Sequence, residues 1–291
     1  MAVFLTAVFL NYNLPSHKLA LWIAIVLVSI LVHELGHATA VLAFGLQPRV
    51  DVHGLGGTTS WSNGSKRASL SHGKRIIISL AGPAMGFVAW GAVYALRLLG
   101  ILPYTPLGDF AYASLVWINR GWGIFNLLPV LPLDGGNVLL SALEATTKGR
   151  GERLARVISV VGALLLALGG ALLQEVWICL LALLFVNANW QGLKELSARE
   201  HDAPMRASLE RAYEALDAKD ATRVLALARP VALESRSVPV RAEALQLVAF
   251  GFLLEGRLAD ADAAIAALPP GFAPHPSLLQ LRATVAGSTS P

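Results

Sequence analysis

Charge is what this chain has least of. Only 14% of its residues are Asp, Glu, Lys or Arg, where soluble domains carry about a quarter. With 55% hydrophobic residues and a mean hydropathy of +0.59, the deficit points to a bilayer rather than to a larger soluble core. Cysteine is almost missing as well: Cys179 stands alone in an apolar run. That excludes a disulfide within the chain and argues against a cysteine-based metal site. The basic excess is small, a formal +4 with a pI near 9.4. Lys and Arg are scattered over loops, and no basic stripe interleaved with aromatics occurs, so nucleic acid is not an expected partner. Met1–Leu10 is apolar without a basic leader or a small-residue cleavage pattern, so no signal peptide is expected. The run is short for a span. It suits either a short or tilted first helix or an interfacial segment.

Long apolar runs are abundant by contrast. Leu19–Phe44 has His33, Glu34 and His37 as its only ionisable groups. At about 1.5 Å per residue it is long enough to cross a ~30 Å hydrocarbon layer. Further candidate spans are Ile76–Leu99, Phe110–Leu133, Leu154–Leu173 and the shorter Val176–Trp190. The polar stretches between them alternate in charge. Arg49, Lys66, Arg67, Lys74 and Arg75 follow the first span, Lys148, Arg150 and Arg153 follow the third, and Lys194, Arg199 and Arg206 follow the last. The connections Gly100–Asp109 and Gln174–Glu175 carry no Lys or Arg. Basic loops stay on the cytoplasmic side, so the region after Trp190 is expected in the cytoplasm. From about Pro204 that region reads as short helices rich in Ala and Leu, broken at Asp217–Asp220, Gly256–Arg257 and Pro269–Pro270. The corners beginning at Leu216 and Leu254 look alike, a spacing that resembles tetratricopeptide repeats. A plain helical tail is the competing reading.

His33-Glu34-Leu35-Gly36-His37 is the strongest signal in the chain. Four residues turn a helix through about 400°, so both imidazoles lie on one face and can reach one zinc ion. Glu34 is rotated away from them but near enough to act as general base, the H-E-x-x-H arrangement of zinc proteases. A charged side chain near the bilayer centre costs roughly 2.5–3.5 kcal/mol or more, so ionisable residues there default to function. Three in five positions, with no basic partner in the same helix, need a compensating cation. The bland reading is a polar cluster bonded to neighbouring helices.

Catalytic zinc usually takes three protein ligands, and the best remaining donor is Asp134 in Asn126-Leu-Leu-Pro-Val-Leu-Pro-Leu-Asp134-Gly-Gly. Pro129 and Pro132 cannot continue a regular helix, and Gly135 and Gly136 permit unusual backbone angles. The third apolar span therefore ends in irregular backbone carrying a carboxylate. Taken alone, Asp134 suits an N-cap for a helix around Asn137–Thr146; paired with H-E-x-x-H, ligation is the stronger reading.

These two signatures together resemble the site-2 protease family of intramembrane zinc metalloproteases, over about Leu19 to Trp190. The resemblance implies a bundle of membrane helices with one Zn2+ held by His33, His37 and Asp134 and with Glu34 as catalytic base. It also implies that Asn126 positions the substrate or the attacking water. Arg49–Trp61 is similar to the family's re-entrant β-hairpin. Ala81-Gly-Pro-Ala-Met-Gly86 is similar to an A-G-P-x-x-N element but has Gly86 where Asn is common. The expected architecture is mainly α: a multi-pass bundle over residues 1–198 with a re-entrant hairpin, then a cytoplasmic tetratricopeptide-like region over 199–291. The expected function is hydrolysis of peptide bonds in or near transmembrane segments, in the inner membrane of a bacterial cell. Expected partners are membrane-protein substrates, lipid, and a cytoplasmic protein on the C-terminal helices. The rivals are a non-catalytic metal-binding scaffold, which has no need of Glu34, and a metal transporter, which normally shows an internal repeat. Arg120 either snorkels or faces a wet cavity and contacts a substrate carbonyl, a structural role being the stronger reading, and His53 and His72 are read as ordinary loop histidines.

Overall fold

The structure is a computed structural model that describes residues 15–53, 56–62 and 70–288. Met1–Tyr12, Lys66 and Arg67 lie outside the described residues, as does the side chain of His53. Two compact units are present, Met1–Gln191 and Gly192–Pro291.

The first unit begins with α1 (Ser16–Ala43), an apolar helix that ends in a left-handed turn. Gly45 adopts a φ of 74°, its N–H donates to the Leu42 carbonyl at 2.9 Å, and the Leu46 N–H donates to Val41 at 3.2 Å. This pair of bonds satisfies the last carbonyls and turns the chain back. The next residues form an antiparallel hairpin against α1, β1 (Gln47–His53) and β2 (Gly56–Ser62), in the register Gln47 to Ser62 and Val52 to Gly57. Next come α2 (His72–Leu98) and α3 (Pro106–Val116), the latter capped by Thr105, whose hydroxyl accepts from the Gly108 N–H at 3.1 Å. A π-helical turn (Trp117–Gly121) and the short α4 (Trp122–Asn126) extend α3. Thus the expected Phe110–Leu133 span stays helical only to Asn126 and changes pitch within the membrane run. Helix α5 (Asp134–Thr146) and the apolar helix α6 (Gly151–Leu172) follow. Helix α7 (Val176–Asp217) begins in the first unit and ends in the second.

Helices α1, α2, α6 and α7 are each long and apolar enough to cross a membrane. Their surfaces are inverted relative to a soluble protein. On α1, Leu27, Val28, Leu31 and Leu35 are exposed while Ser29, His33, Glu34 and His37 are buried. Apolar groups facing outward and polar groups facing inward cost little when the surrounding solvent is lipid. Small residues let the helices approach. A Cβ on Gly36 would lie 2.5 Å from the Ala81 carbonyl oxygen of α2, the close backbone contact typical of membrane helix pairs. At the π turn, Asn119 Nδ2 donates to Ser29 Oγ at 3.0 Å, one helical turn before His33. The chain is a membrane protein and mainly helical.

The second unit contains the end of α7, then α8 (Ala221–Glu234), α9 (Val238–Leu254), α10 (Leu258–Ala266) and α11 (Pro276–Ser288). The corners fall at Lys219 (φ 57°) and Gly256 (φ 75°), where the sequence places breaks. Asp220 caps α8 by accepting from the Arg223 N–H at 3.0 Å. The buried Asp202 carboxylate accepts from the Arg236 and Ser237 N–H groups at 2.9 and 2.7 Å, satisfying donors at the entry to α9. Leu209, Val224, Leu247, Phe252 and Leu278, interleaved with fully buried alanines, form the core of this unit.

Candidate metal centre

The candidate metal centre is assembled by α1, α2, the hairpin and the start of α5. His33 and His37 are stacked one turn apart on α1, their rings edge to face with centroids 4.8 Å apart. Both are at least nine-tenths buried. The His37 Nδ1–H donates to the Ile78 carbonyl of α2 at 2.7 Å. That bond fixes the ring and, in the neutral imidazole, would leave the Nε2 lone pair for a metal ion.

Asp134 arrives from the far side. Leu127–Leu133 leaves the helix after Asn126 and folds tightly, and α5 starts at Asp134 itself. The capping role does not materialise: Asp134 lies inside the first turn, and its side chain leaves the helix for the imidazoles. Asp134 Oδ2 lies 3.1 Å from His33 Nε2, and Oδ1 lies 3.4 Å from His37 Nε2. The two Nε2 atoms are 3.1 Å apart. The following glycines allow this placement. A Cβ on Gly135 would lie 2.5 Å from the Leu128 carbonyl, and one on Gly136 would lie 2.6 Å from that of Val130.

The irregular loop is itself held from behind. Ser159 Oγ of α6 accepts from the Leu131 N–H at 2.9 Å, and Asn189 Nδ2 of α7 donates to the Leu131 carbonyl at 2.7 Å. Both side chains are almost fully buried, and they replace the helical partners that Leu131 lacks. Non-helical backbone at membrane depth requires such partners.

These donors fit a divalent ion. Two ligands bound to tetrahedral zinc at about 2.0–2.1 Å stand roughly 3.3 Å apart, close to the three separations in this cluster. With protons alone, a single imidazole N–H serves only one of the three contacts, whereas one cation serves them all. Among the described residues, His33, His37 and Asp134 form the one group of this kind, with ligand atoms within 4.8 Å of one another. Gly82 of α2 forms the floor, since a Cβ there would lie 2.7 Å from His33 Nε2 and closer still to His37.

Glu34 is buried beside the ligands, under the hairpin. Thr59 Oγ1 of β2 donates to Glu34 Oε2 at 2.6 Å; the Glu34 backbone carbonyl, at 3.2 Å, is a weaker claimant for the same proton. Gly57 of β2 lies directly over the carboxylate, where a Cβ would sit 2.7 Å from Oε1. All four residues border a cavity of about 720 Å³ that also touches Asn126, Trp122 and Arg75. Arg120 is not part of it; this exposed residue lies over the Trp90 ring, 5.6 Å from its centroid. His72 joins Arg75 at Glu144 of α5, at 3.5 and 2.9 Å, away from the metal cluster.

Sequence reasoning missed Thr59, Gly82, Ser159 and Asn189, and it singled out Gly57 only as part of the hairpin's glycine cluster, without its contact to Glu34. Ser159 and Asn189 were detectable in principle, as isolated polar residues in apolar runs. The other two had no signal beyond a glycine-rich stretch and an A-G-P element.

The profile of peptidase family M50 matches residues 105–169, which contain Asn126 and Asp134. Over that segment the chain is similar to peptidase family M50. Among curated relatives, a Synechocystis protein named as a zinc metalloprotease (sll0528) is 32% identical over 48% of this chain and 37% of its own length. Rip3 of Mycobacterium tuberculosis, also named as a zinc metalloprotease, is 30% identical over 62% of this chain and 48% of its own. The zinc metalloprotease MJ0392 of Methanocaldococcus jannaschii is 27% identical over 40% and 32%. The chain thus spans half or less of the length of these relatives. A solved site-2 protease from Methanocaldococcus jannaschii aligns with 60% of this chain and 78% of its own at 22% identity, with a TM-score of 0.44. The M50 profile covers the Asp134 signature, and His33, Glu34 and His37 precede the matched segment.

Proposed function

We propose that this chain is an intramembrane zinc metalloprotease that hydrolyses peptide bonds in or near the transmembrane segments of membrane proteins. The observation that carries the reading is the convergence of His33, His37 and Asp134 beside a buried Glu34, at a cavity within an apolar bundle. A zinc ion held by those three residues supplies Lewis acidity to water and to the scissile carbonyl. Glu34 takes a proton from the attacking water as its oxygen bonds to the carbonyl carbon. When the C–N bond breaks, Glu34 returns that proton to the departing amine nitrogen. Asn126, bordering the same cavity, is positioned to orient the substrate carbonyl. His37, tied to Ile78, and the glycine floor at Gly82 keep the ligand set in register.

A membrane-spanning substrate hides its peptide bonds in helical hydrogen bonds and must unwind before attack. The hairpin offers an unwound stretch new backbone partners by strand addition, which is the role we assign to it as a re-entrant element. The alternation of basic segments supports a bacterial inner-membrane protein whose C-terminal unit is cytoplasmic. The matching corners at Lys219 and Gly256 support a tetratricopeptide-like unit over residues 199–291 that binds a cytoplasmic protein. Truncation at about residue 200 should leave zinc content intact and change which substrates are cut.

The deciding experiment combines metal analysis of the purified protein with cleavage of a panel of single-pass reporters. Wild type should hold one zinc per chain and cut at least one reporter. Glu34→Gln should keep the zinc and lose the cutting, by about 10²–10⁴-fold, the usual contribution of a general base. Undiminished cleavage by Glu34→Gln would refute the proposal.

A further inference from the structure

We propose that Thr59 is a positioning residue for Glu34: its hydroxyl ties up Oε2 and thereby leaves Oε1 as the oxygen that accepts the water's proton. This inference rests on the protease reading above.

Three observations support it. First, the bond is short, 2.6 Å, and joins a hydroxyl to a carboxylate, the charge-assisted class that is stronger than neutral hydrogen bonds. Second, it spans two elements. Glu34 sits on α1 and Thr59 on β2, 25 residues later in the sequence, so seating the hairpin and aiming the carboxylate are one event. Third, the two carboxylate oxygens have different surroundings. Oε2 faces the Thr59 hydroxyl, while Oε1 faces the bare Cα of Gly57, where any Cβ would intrude to 2.7 Å. The Glu34 side chain itself occupies the notch left by the missing side chain, since a Cβ on Gly57 would also lie 2.7 Å from its carboxyl carbon. A Glu side chain has three rotatable bonds, and this one borders the cavity. Holding one oxygen removes that freedom, and misplacement by about 1 Å at a reacting group can cost 10²-fold.

Thr59→Val keeps the shape and removes the donor; Thr59→Ser keeps the donor. Zinc content, kcat and KM are measured on the full-length protein in proteoliposomes, with a fluorogenic single-span reporter that the wild type cuts. Thr59→Val is expected to lower kcat by about 10–100-fold with KM within about twofold and zinc unchanged. Thr59→Ser is expected to restore most of the rate. A Thr59→Val enzyme with wild-type kcat, or a Thr59→Ser enzyme as slow as Thr59→Val, would overturn the assignment. A second measurement does not depend on cleavage. In thermal melts, the shift caused by Thr59→Val should be present with Glu34 and vanish in a Glu34→Ala background. Equal shifts in both backgrounds refute the contact. If the wild type cuts no reporter, the protease reading fails while the melting cycle still decides the role of Thr59.

Discussion

Adding one methyl group to the floor of the metal site is the sharpest perturbation available. In Gly82→Ala the new Cβ would stand 2.5 Å from His37 Cε1 and 2.7 Å from His33 Nε2, where ordinary contact begins at 3.4 Å. The rings must therefore retreat by roughly 1 Å to reach normal packing distance, far beyond the ±0.2 Å tolerance of a zinc–ligand bond. Neither helix can easily yield. Gly36 already brings α1 against the Ala81 backbone, and the His37 ring is tied to the Ile78 carbonyl of the same helix that carries residue 82. Overpacking of this kind costs about 1–3 kcal/mol. At 1.4 kcal/mol per tenfold, zinc affinity should fall by roughly 5- to 150-fold. Competition against a metallochromic chelator reads this directly on purified protein. Gly73→Ala, in the first turn of α2 with open space around it, serves as the control and should bind zinc like wild type. If Gly82→Ala also binds zinc as tightly as wild type, Nε2 of His33 and His37 are not the ligand atoms.

Asp134→Asn removes the only anionic ligand while preserving shape, so zinc content should drop to a small fraction of wild type; a full zinc complement would point to another third ligand. Ser159→Ala strips the Leu131 N–H of its buried acceptor. It should destabilise the protein by about 1–3 kcal/mol, seen as a lower melting temperature, with weakened zinc binding because the Asp134 loop loosens. In the C-terminal unit, Arg282 bonds the Asp262 carboxylate at 2.5 and 2.8 Å and holds its pKa below the usual carboxylate range. A depressed carboxyl contributes stability above its unfolded value of about 3.9, and loses it as pH falls through the lower folded value. Asp262→Asn should therefore melt lower than wild type at neutral pH, with the gap closing in acid below about pH 4; a gap independent of pH counts against the pair. Raising ionic strength should narrow the same gap, since the pair is exposed.

Composition and periodicity made the membrane bundle legible, because in lipid a helix must satisfy its backbone within one segment. A long apolar run therefore admits few other structures. The paired imidazoles of α1 were legible for a related reason. Four-residue spacing puts His33 and His37 on one face whatever surrounds them, so local geometry alone writes half of the site. Asp134 was half legible: its proline and glycine neighbours announced irregular backbone, but the sequence left a cap and a ligand both open. Only the fold excluded the cap, by starting α5 at Asp134 and turning the carboxylate toward α1. What Thr59, Gly57 and Gly82 touch was decided wholly by tertiary structure. Each acts through a neighbour more than 20 residues away in sequence, at Glu34 or at the imidazoles. Spacing along a chain encodes what a helix does to its own side chains. It carries no record of which surface a hairpin or a second helix lays against them, because that depends on packing between elements.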